Sequence, residues 1–310
     1  MGTTADIAEG GARVAWERRD GQLLDIGVWS PCVDTLLSIK VVRLLLPPGW
    51  SADARRTWPT LWLLHGGFND YTYTDGTGLR SWARYRDAII AIPETSSCGE
   101  YADWYNPDEA GNPTWGNPKW ETFLMTDVRQ ILERGYRAAD VHAIAGYSMG
   151  AEGSMTFPVK YPGMFAAAAS LSGHLDPLRF HRDPASTPAE VGDIDLPGEG
   201  CLLNDWRRVW GDPRRSQPEL DYWLAHDPYT VASAAGLSGV ELFVGAGATT
   251  TDSVERLFHE QSVAYVDHLR NDMGLSVDSY WWPAETGGHT EVWKHELERI
   301  FPRLMASLGA

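Results

Sequence analysis

A chain of 310 residues is long enough to bury a substantial core in one α/β domain, and 43% hydrophobic against 22% charged residues excludes a largely disordered chain. A formal net charge of −16 with no cluster of Lys and Arg works against nucleic acid and anionic membrane surfaces as partners. No apolar run reaches the length of a membrane span, and Cys32, Cys98 and Cys201 show no metal-ligand spacing and allow at most one disulfide.

Up to about Trp16 the chain reads as a loose polar arm. Gln22 to Ser30 and Leu36 to Leu46 suit two strands joined by a turn at Ser30-Pro31 and Asp34, an antiparallel start to a sheet. Trp58 to Leu64 is a compact apolar run of the kind a central strand covered on both faces shows, and it delivers His65-Gly66-Gly67-Phe68. Asp87 to Ile92 is a further buried strand, followed by a long polar and aromatic loop from Pro93 to Pro118 where binding residues can gather. Trp120 to Arg134 has helical spacing, and Gly135 is placed to stop it. Val141 to Ala145 is a strand, then come Gly146-Tyr147-Ser148-Met149-Gly150 and a small-residue helix. Phe165 to Ser172 is the next strand. Residues 174–228, rich in Pro, Asp, Arg and Trp with little periodicity, read as a cap-like insertion. Val240 to Val244 resumes the strands, Asp252 to Met273 is a helix, Val277 to Trp282 the last strand and Glu291 to Leu308 the last helix. Strands alternating with helices predict one α/β domain over residues 1–310 with a mostly parallel sheet flanked by helices.

Gly146 to Gly150 has the form of a nucleophile elbow, in which a strand turns sharply into a helix and exposes a serine at the sheet edge. A serine hydroxyl needs a base, and Gly287-Gly288-His289 supplies one in a loop after the last strand, where two glycines let the chain curl back over the edge. The acid orienting that histidine should follow Val240 to Val244. Asp252, Glu255 and Glu260 are candidates, Asp252 holding the ordinary position for the fold, and spacing does not choose between them. Backbone donors for an oxyanion are expected from Met149 and Gly67. Neither HExxH nor a phosphate-binding glycine loop is present, and His289 with His295 lacks the i, i+4 spacing of a helical zinc pair, so no metal or cofactor is expected.

These residues resemble more than a generic hydrolase. Tyr101-Ala102-Asp103-Trp104-Tyr105 followed by Lys119-Trp120-Glu121-Thr122-Phe123-Leu124 is similar to the SDWY…KWETFL signature of the mycolyltransferases and the esterase group around them, which are α/β-hydrolase proteins. Leu63-Leu64-His65-Gly66-Gly67 stands where that family has LLDGL, and Leu175-Asp176-Pro177 and Val209-Trp210-Gly211 are similar to its cap. The resemblance implies Ser148 as nucleophile, His289 as base, Gly67 and Met149 as oxyanion donors and, through Phe258-His259-Glu260, Glu260 as acid ahead of Asp252. Phe68 stands in place of the family's trehalose-binding arginine, and the family's tryptophan two residues after the histidine is missing, Trp293 following instead at four. Phe68, Trp104 and Trp293 are the expected substrate-binding side chains. Ester hydrolysis is therefore expected before acyl transfer to a sugar or other alcohol, with a noncatalytic carbohydrate- or matrix-binding protein as the rival from another class. The family is secreted, which implies export with the signal segment removed, and a cytoplasmic protein is the alternative.

Overall fold

A computed structural model describes residues 7–33, 39–96, 99–105, 118–182, 206–248 and 251–310. Among them nine strands form one sheet: β1 (Arg13–Asp20), β2 (Leu23–Trp29), β3 (Ile39–Leu45), β4 (Trp58–Leu64), β5 (Ile89–Pro93), β6 (Ala138–Tyr147), β7 (Phe165–Leu171), β8 (Glu241–Ala248) and β9 (Val277–Pro283). Their spatial order is β1-β2-β3-β5-β4-β6-β7-β8-β9. The pairs from β1 to β5 across β2 and β3 are antiparallel, and from β5 through β4 to β9 every pair is parallel.

The apolar runs become central strands because both faces of the sheet are covered. Along β4, Trp58, Trp62 and Leu64 enter the core on one face, with Phe123, Leu124, Met155 and Tyr265. Leu61 and Leu63 enter the core on the other, with Leu297, Ile300 and Phe301 of the C-terminal helix His289–Ser307. Alternation with period two sorts one continuous apolar run between two cores.

At the N-terminus the structure overturns the loose arm expected up to Trp16. Arg13 pairs with Trp29 and Asp20 with Leu23, which makes residues 13–20 one of the two edge strands, β9 being the other. An edge strand gains its backbone hydrogen bonds from one neighbour and leaves its side chains largely in solvent, so charged residues suit it and no apolar alternation announces it. Its one aromatic ring, that of Trp16, covers Gly27 of β2, where a Cβ would lie 2.2 Å from the indole.

The helix expected from Trp120 to Arg134 forms as Trp120–Thr122, a π-helical stretch Phe123–Val128 and Arg129–Gly135. Its start explains the paired signature segments. Asp103 accepts the backbone N–H of Thr122 at 3.0 Å and its hydroxyl at 2.6 Å, capping the helix from a loop nineteen residues upstream. Within the expected insertion, residues 183–205 lie outside the described set, as does most of the 93–118 loop. The remainder of the insertion carries short helices: Arg179–Arg182, Trp206–Trp210, Gln217–Leu224 and Pro228–Val231. Ser216 and Asp227 cap the last two, each with proline in the first turn, a local signal that apolar periodicity does not carry. Among the described residues no helix is long and apolar enough to cross a membrane.

Candidate active site

β6 ends at Tyr147, and the elbow helix Met149–Lys160 begins one residue after Ser148. Ser148 has φ of 56° and ψ of −119°, a left-handed conformation costly for any residue with a Cβ. The flanking glycines are needed for space. A Cβ on Gly146 would lie 1.9 Å from the carbonyl oxygen of Gly150, and one on Gly150 would lie 2.4 Å from that of Leu64. The turn is held from β7 by the bond from Ser148 N–H to the Leu171 carbonyl, 3.1 Å.

His289 is the first residue of the C-terminal helix, placed by Gly287 at φ 124° and by Gly288, where a Cβ would lie 2.4 Å from Asp252 Oδ2. Its ring is gripped between Tyr147 and Phe258, with centroids 4.8 and 5.0 Å away. Tyr147 leads directly into Ser148 and is itself stacked on Trp293 at 4.9 Å. The imidazole therefore rests on the residue that leads into the elbow.

Nδ1 of His289 meets Glu255 Oε2 at 2.7 Å, and the carboxylate is fully buried. The other oxygen of Glu255 accepts from Ser172 Oγ at 2.9 Å and from the backbone N–H of Gly247. Ser172 has φ of 48°, so a second strained residue at the sheet edge contributes a donor. With Nδ1–H on a carboxylate, Nε2 carries the lone pair a general base needs.

Of the three acid candidates, then, the structure brings Glu255 to the ring, and the first choice, Glu260, is corrected. Five residues at about 100° each carry Glu260 about 140° around the helix Ser253–Asp267 from Glu255 and about 7.5 Å along it. It is exposed, lies 3.4 Å from Arg179 and lines a surface groove of about 430 Å³ with Asp176 and His259. The alternative acid, Asp252, grips the histidine by its backbone: Oδ2 accepts His289 N–H at 2.9 Å, while Oδ1 caps Val254 and Glu255 N–H, each at 3.0 Å. Burial works to raise the Asp252 carboxyl, but these backbone donors hold it below its ordinary range.

The two peptides expected to bind an oxyanion are each fixed through their carbonyl. In a trans peptide the N–H points opposite to the preceding C=O. The Gly66 carbonyl is drawn to His65 Nδ1–H at 2.8 Å and to Asn69 N–H at 3.3 Å, which orients Gly67 N–H the other way. The Ser148 carbonyl accepts Ala151 N–H at 3.0 Å and His174 N–H at 3.2 Å, which orients Met149 N–H in the same manner. Among the described residues neither of these two N–H groups has a protein acceptor. His65 was no more than a loop residue in the sequence. It is fully buried, Nε2 accepts Thr95 N–H at 3.1 Å, and burial pushes its pKa down to about 4, so it braces the loop as a neutral ring.

The aromatic side chains expected to bind substrate are corrected in part. Trp104 is buried against the core, with Nε1–H on the Gly99 carbonyl and the Arg208 guanidinium over its ring. Trp293 is buried beneath Tyr147 and Tyr73. Both have their faces taken by protein. Phe68 stays half-exposed in the turn after Gly67, at φ of 61°.

Residues 38–304 match the protein family described as "Putative esterase". Esterase Rv1288 of Mycobacterium tuberculosis is 35% identical over 290 residues, covering 87% of this chain and 57% of that protein, so the chain spans little more than half of that relative. The diacylglycerol acyltransferase/mycolyltransferase Ag85A of Mycobacterium bovis is 31% identical over 264 residues, 81% of this chain and 74% of that one. Among solved structures, an S-formylglutathione hydrolase from Agrobacterium tumefaciens superposes with a TM-score of 0.69 at 15% identity, over 96% of this chain and 99% of that one.

Proposed function

The chain belongs to the esterase family and has the α/β-hydrolase fold, and from that premise we propose that it is a serine esterase working through Ser148, His289 and Glu255. Ser148 Oγ attacks the ester carbonyl while His289 Nε2 takes its proton. Glu255 holds the ring in the tautomer that leaves Nε2 free and stabilises the imidazolium. The negative charge that develops on the carbonyl oxygen is met by Gly67 and Met149 N–H. His289 returns the proton to the departing alcohol, leaving an acyl-enzyme, and then deprotonates the water that releases the acid. The observation that carries the proposal is the 2.7 Å bond between His289 Nδ1 and buried Glu255, on a ring packed against the residue before a strained serine.

A serine-directed phosphonate is expected to add its mass to the peptide containing Ser148, and Ser148→Ala to abolish both labelling and turnover of a short-chain nitrophenyl ester. Labelling elsewhere, or turnover surviving in the variant, refutes the assignment. A second reading, acyl transfer to an alcohol, is favoured by the likeness to Ag85A. Phe68 in place of the sugar-binding arginine of that group favours water as acceptor. Chromatography of products with and without added trehalose or glycerol separates the two. The same proposal takes residues 1–310 as one hydrolase domain with 174–228 as a cap. Gln261, on the helix that carries Glu255, supports this by accepting the N–H groups of Leu175 and Asp176, at 2.9 and 3.2 Å, where the insertion leaves the sheet.

A further inference from the structure

Behind the nucleophile lies a chain of polar side chains that the proposed reaction does not consume. Glu152 stands one turn along the elbow helix from Ser148, and His174 follows β7 with its backbone N–H on the Ser148 carbonyl at 3.2 Å. Their side chains are almost fully buried and meet, His174 Nδ1 lying 2.5 Å from Glu152 Oε1. On its far side Glu152 hydrogen-bonds to Glu100, in the loop after β5. The segment that carries His174 lies directly on the elbow helix, since a Cβ on Gly173 would be 2.4 Å from that of Ala151.

Two carboxyl groups form a hydrogen bond only if one of them keeps a proton, and Glu152, the more deeply buried of the two, is the one less able to stand as an anion. The histidine points the same way. Its Nε2 is buried with no hydrogen-bond partner among the described residues. A proton there would be an unpaired buried donor, so the ring is neutral and its proton is on Nδ1, donated to Glu152 Oε1. The Glu152 hydroxyl is then directed to Glu100. Burial lifts the Glu152 carboxyl well above its ordinary range, with the Glu100 bond offsetting part of the rise and Asp227 adding to it. Burial likewise holds the His174 ring below its ordinary value.

We propose, on the reading of Ser148 as nucleophile, that Glu152 and His174 are positioning residues that hold the Ser148–Met149 peptide with Met149 N–H facing the reacting carbonyl, and that Glu152 does so as an un-ionised acid. The Ser148 carbonyl has two backbone partners, Ala151 N–H from within the helix and His174 N–H from outside it. The outer partner is kept in place by its own side chain, anchored to Glu152 on the same helix. Without that anchor the loop after β7 is free to lift. The carbonyl, and with it the N–H on the opposite side of the peptide, then has one restraint in place of two. An ionised Glu152 would repel Glu100 across a contact shielded from water and weaken the anchor.

Steady-state kinetics on a nitrophenyl ester test the anchor, and conservative variants test its chemistry. Glu152→Gln offers an oxygen to His174 and an amide N–H to Glu100, as the neutral acid does, and should keep at least about a third of the wild-type kcat. His174→Asn keeps a donor in the place of Nδ1 and should do likewise. Glu152→Leu and His174→Leu should lower kcat by about 10- to 100-fold with KM nearly constant, since the donor is misdirected but not removed. Infrared difference spectra of wild type against Glu152→Gln at pH 8 should show an un-ionised carboxyl stretch in the wild type alone, a readout that requires neither leucine variant to fold. Phosphonate labelling of the wild type judges the nucleophile separately. With Ser148 labelled, leucine variants of unchanged circular dichroism that retain kcat, a loss that appears in KM, a Glu152→Gln that falls as far as Glu152→Leu, or a carboxylate signal in place of the un-ionised one overturns the positioning role.

Discussion

Glu255 and His289 meet at 2.7 Å across the ends of two helices that begin on either side of β9, and Glu255 is on the first turn of its helix while Glu260 is beyond it. Position on the first turn directs the carboxylate back over the sheet edge. Glu255→Gln should therefore lower kcat on a nitrophenyl ester by about 10³- to 10⁴-fold, since the amide cannot stabilise the imidazolium and can impose the wrong tautomer. Glu260→Gln should stay within about twofold, its carboxylate being exposed beside Arg179. A large loss in Glu260→Gln with a small one in Glu255→Gln would reverse the assignment.

Much of this was legible in the sequence, and the failures have physical causes. Trp58 to Leu64 was readable as a strand because a run covered on both faces stays apolar throughout. The Ser148 elbow was readable because its two glycines answer a steric need that no other residue meets. β1 was not, since its residues are almost all exposed and mostly charged, and backbone pairing with β2 rather than a side-chain pattern specifies it. Trp104 and Trp293 were misplaced because composition cannot tell an aromatic that lines a cleft from one that packs beneath it. Glu255 was one of three open candidates. Asp252 and Glu255 have the spacing of a helix cap and the acid that follows it within the first turn, and that geometry, which aims the glutamate back past the helix start, is the signal that separates it from Glu260.

Asp252 and Gly288 act on the same histidine through its backbone. Asp252→Ala removes the acceptor of His289 N–H and the cap of Val254 and Glu255, and is expected to cost about 1–2 kcal/mol of stability by denaturant melt. Gly288→Ala places a Cβ 2.4 Å from Asp252 Oδ2 and must push that carboxylate oxygen aside, loosening its hold on His289 N–H. Its expected signature is a fall in kcat of at least about tenfold with KM nearly constant, because the substrate still binds while the base is misplaced.

His65 connects site geometry to pH. Its Nδ1–H holds the Gly66 carbonyl, so His65→Ala should free the Gly66–Gly67 peptide to rotate and lower kcat by about 10- to 100-fold, somewhat less than loss of an oxyanion donor outright. The folded ring resists protonation until about pH 4, whereas the unfolded one gains a proton below about 6.5. The unfolded state thus binds more protons between those values. Stability should fall as pH drops from 6.5 to 4, by up to about 3 kcal/mol from this residue, and level off below that. His142, also held down to about 4 by burial, adds a slope of the same sign. Tm measured against pH should show the decline, and His65→Ala should flatten part of it.

Glu296 should act over nearly the same window with the opposite sign. It is fully buried on the C-terminal helix beneath β8, where a Cβ on Gly245 would lie 2.3 Å from its carboxyl carbon. Burial raises its pKa to about 7, partly offset by Trp282 Nε1–H at 2.6 Å and Arg299 at 3.3 Å. With the folded value above the unfolded value near 4.5, the folded state binds the extra proton, so stability is greatest below 4.5 and declines as pH rises to 7. Glutamine keeps an acceptor for Trp282 and cannot ionise. Glu296→Gln should therefore be close to neutral at pH 4.5 and gain on the wild type as pH rises, by up to about 3 kcal/mol at pH 8. Denaturant melts of both proteins at pH 4.5, 6 and 8 measure that difference. A gap that stays constant across the three would mean that Glu296 does not change its charge in the folded protein over this range.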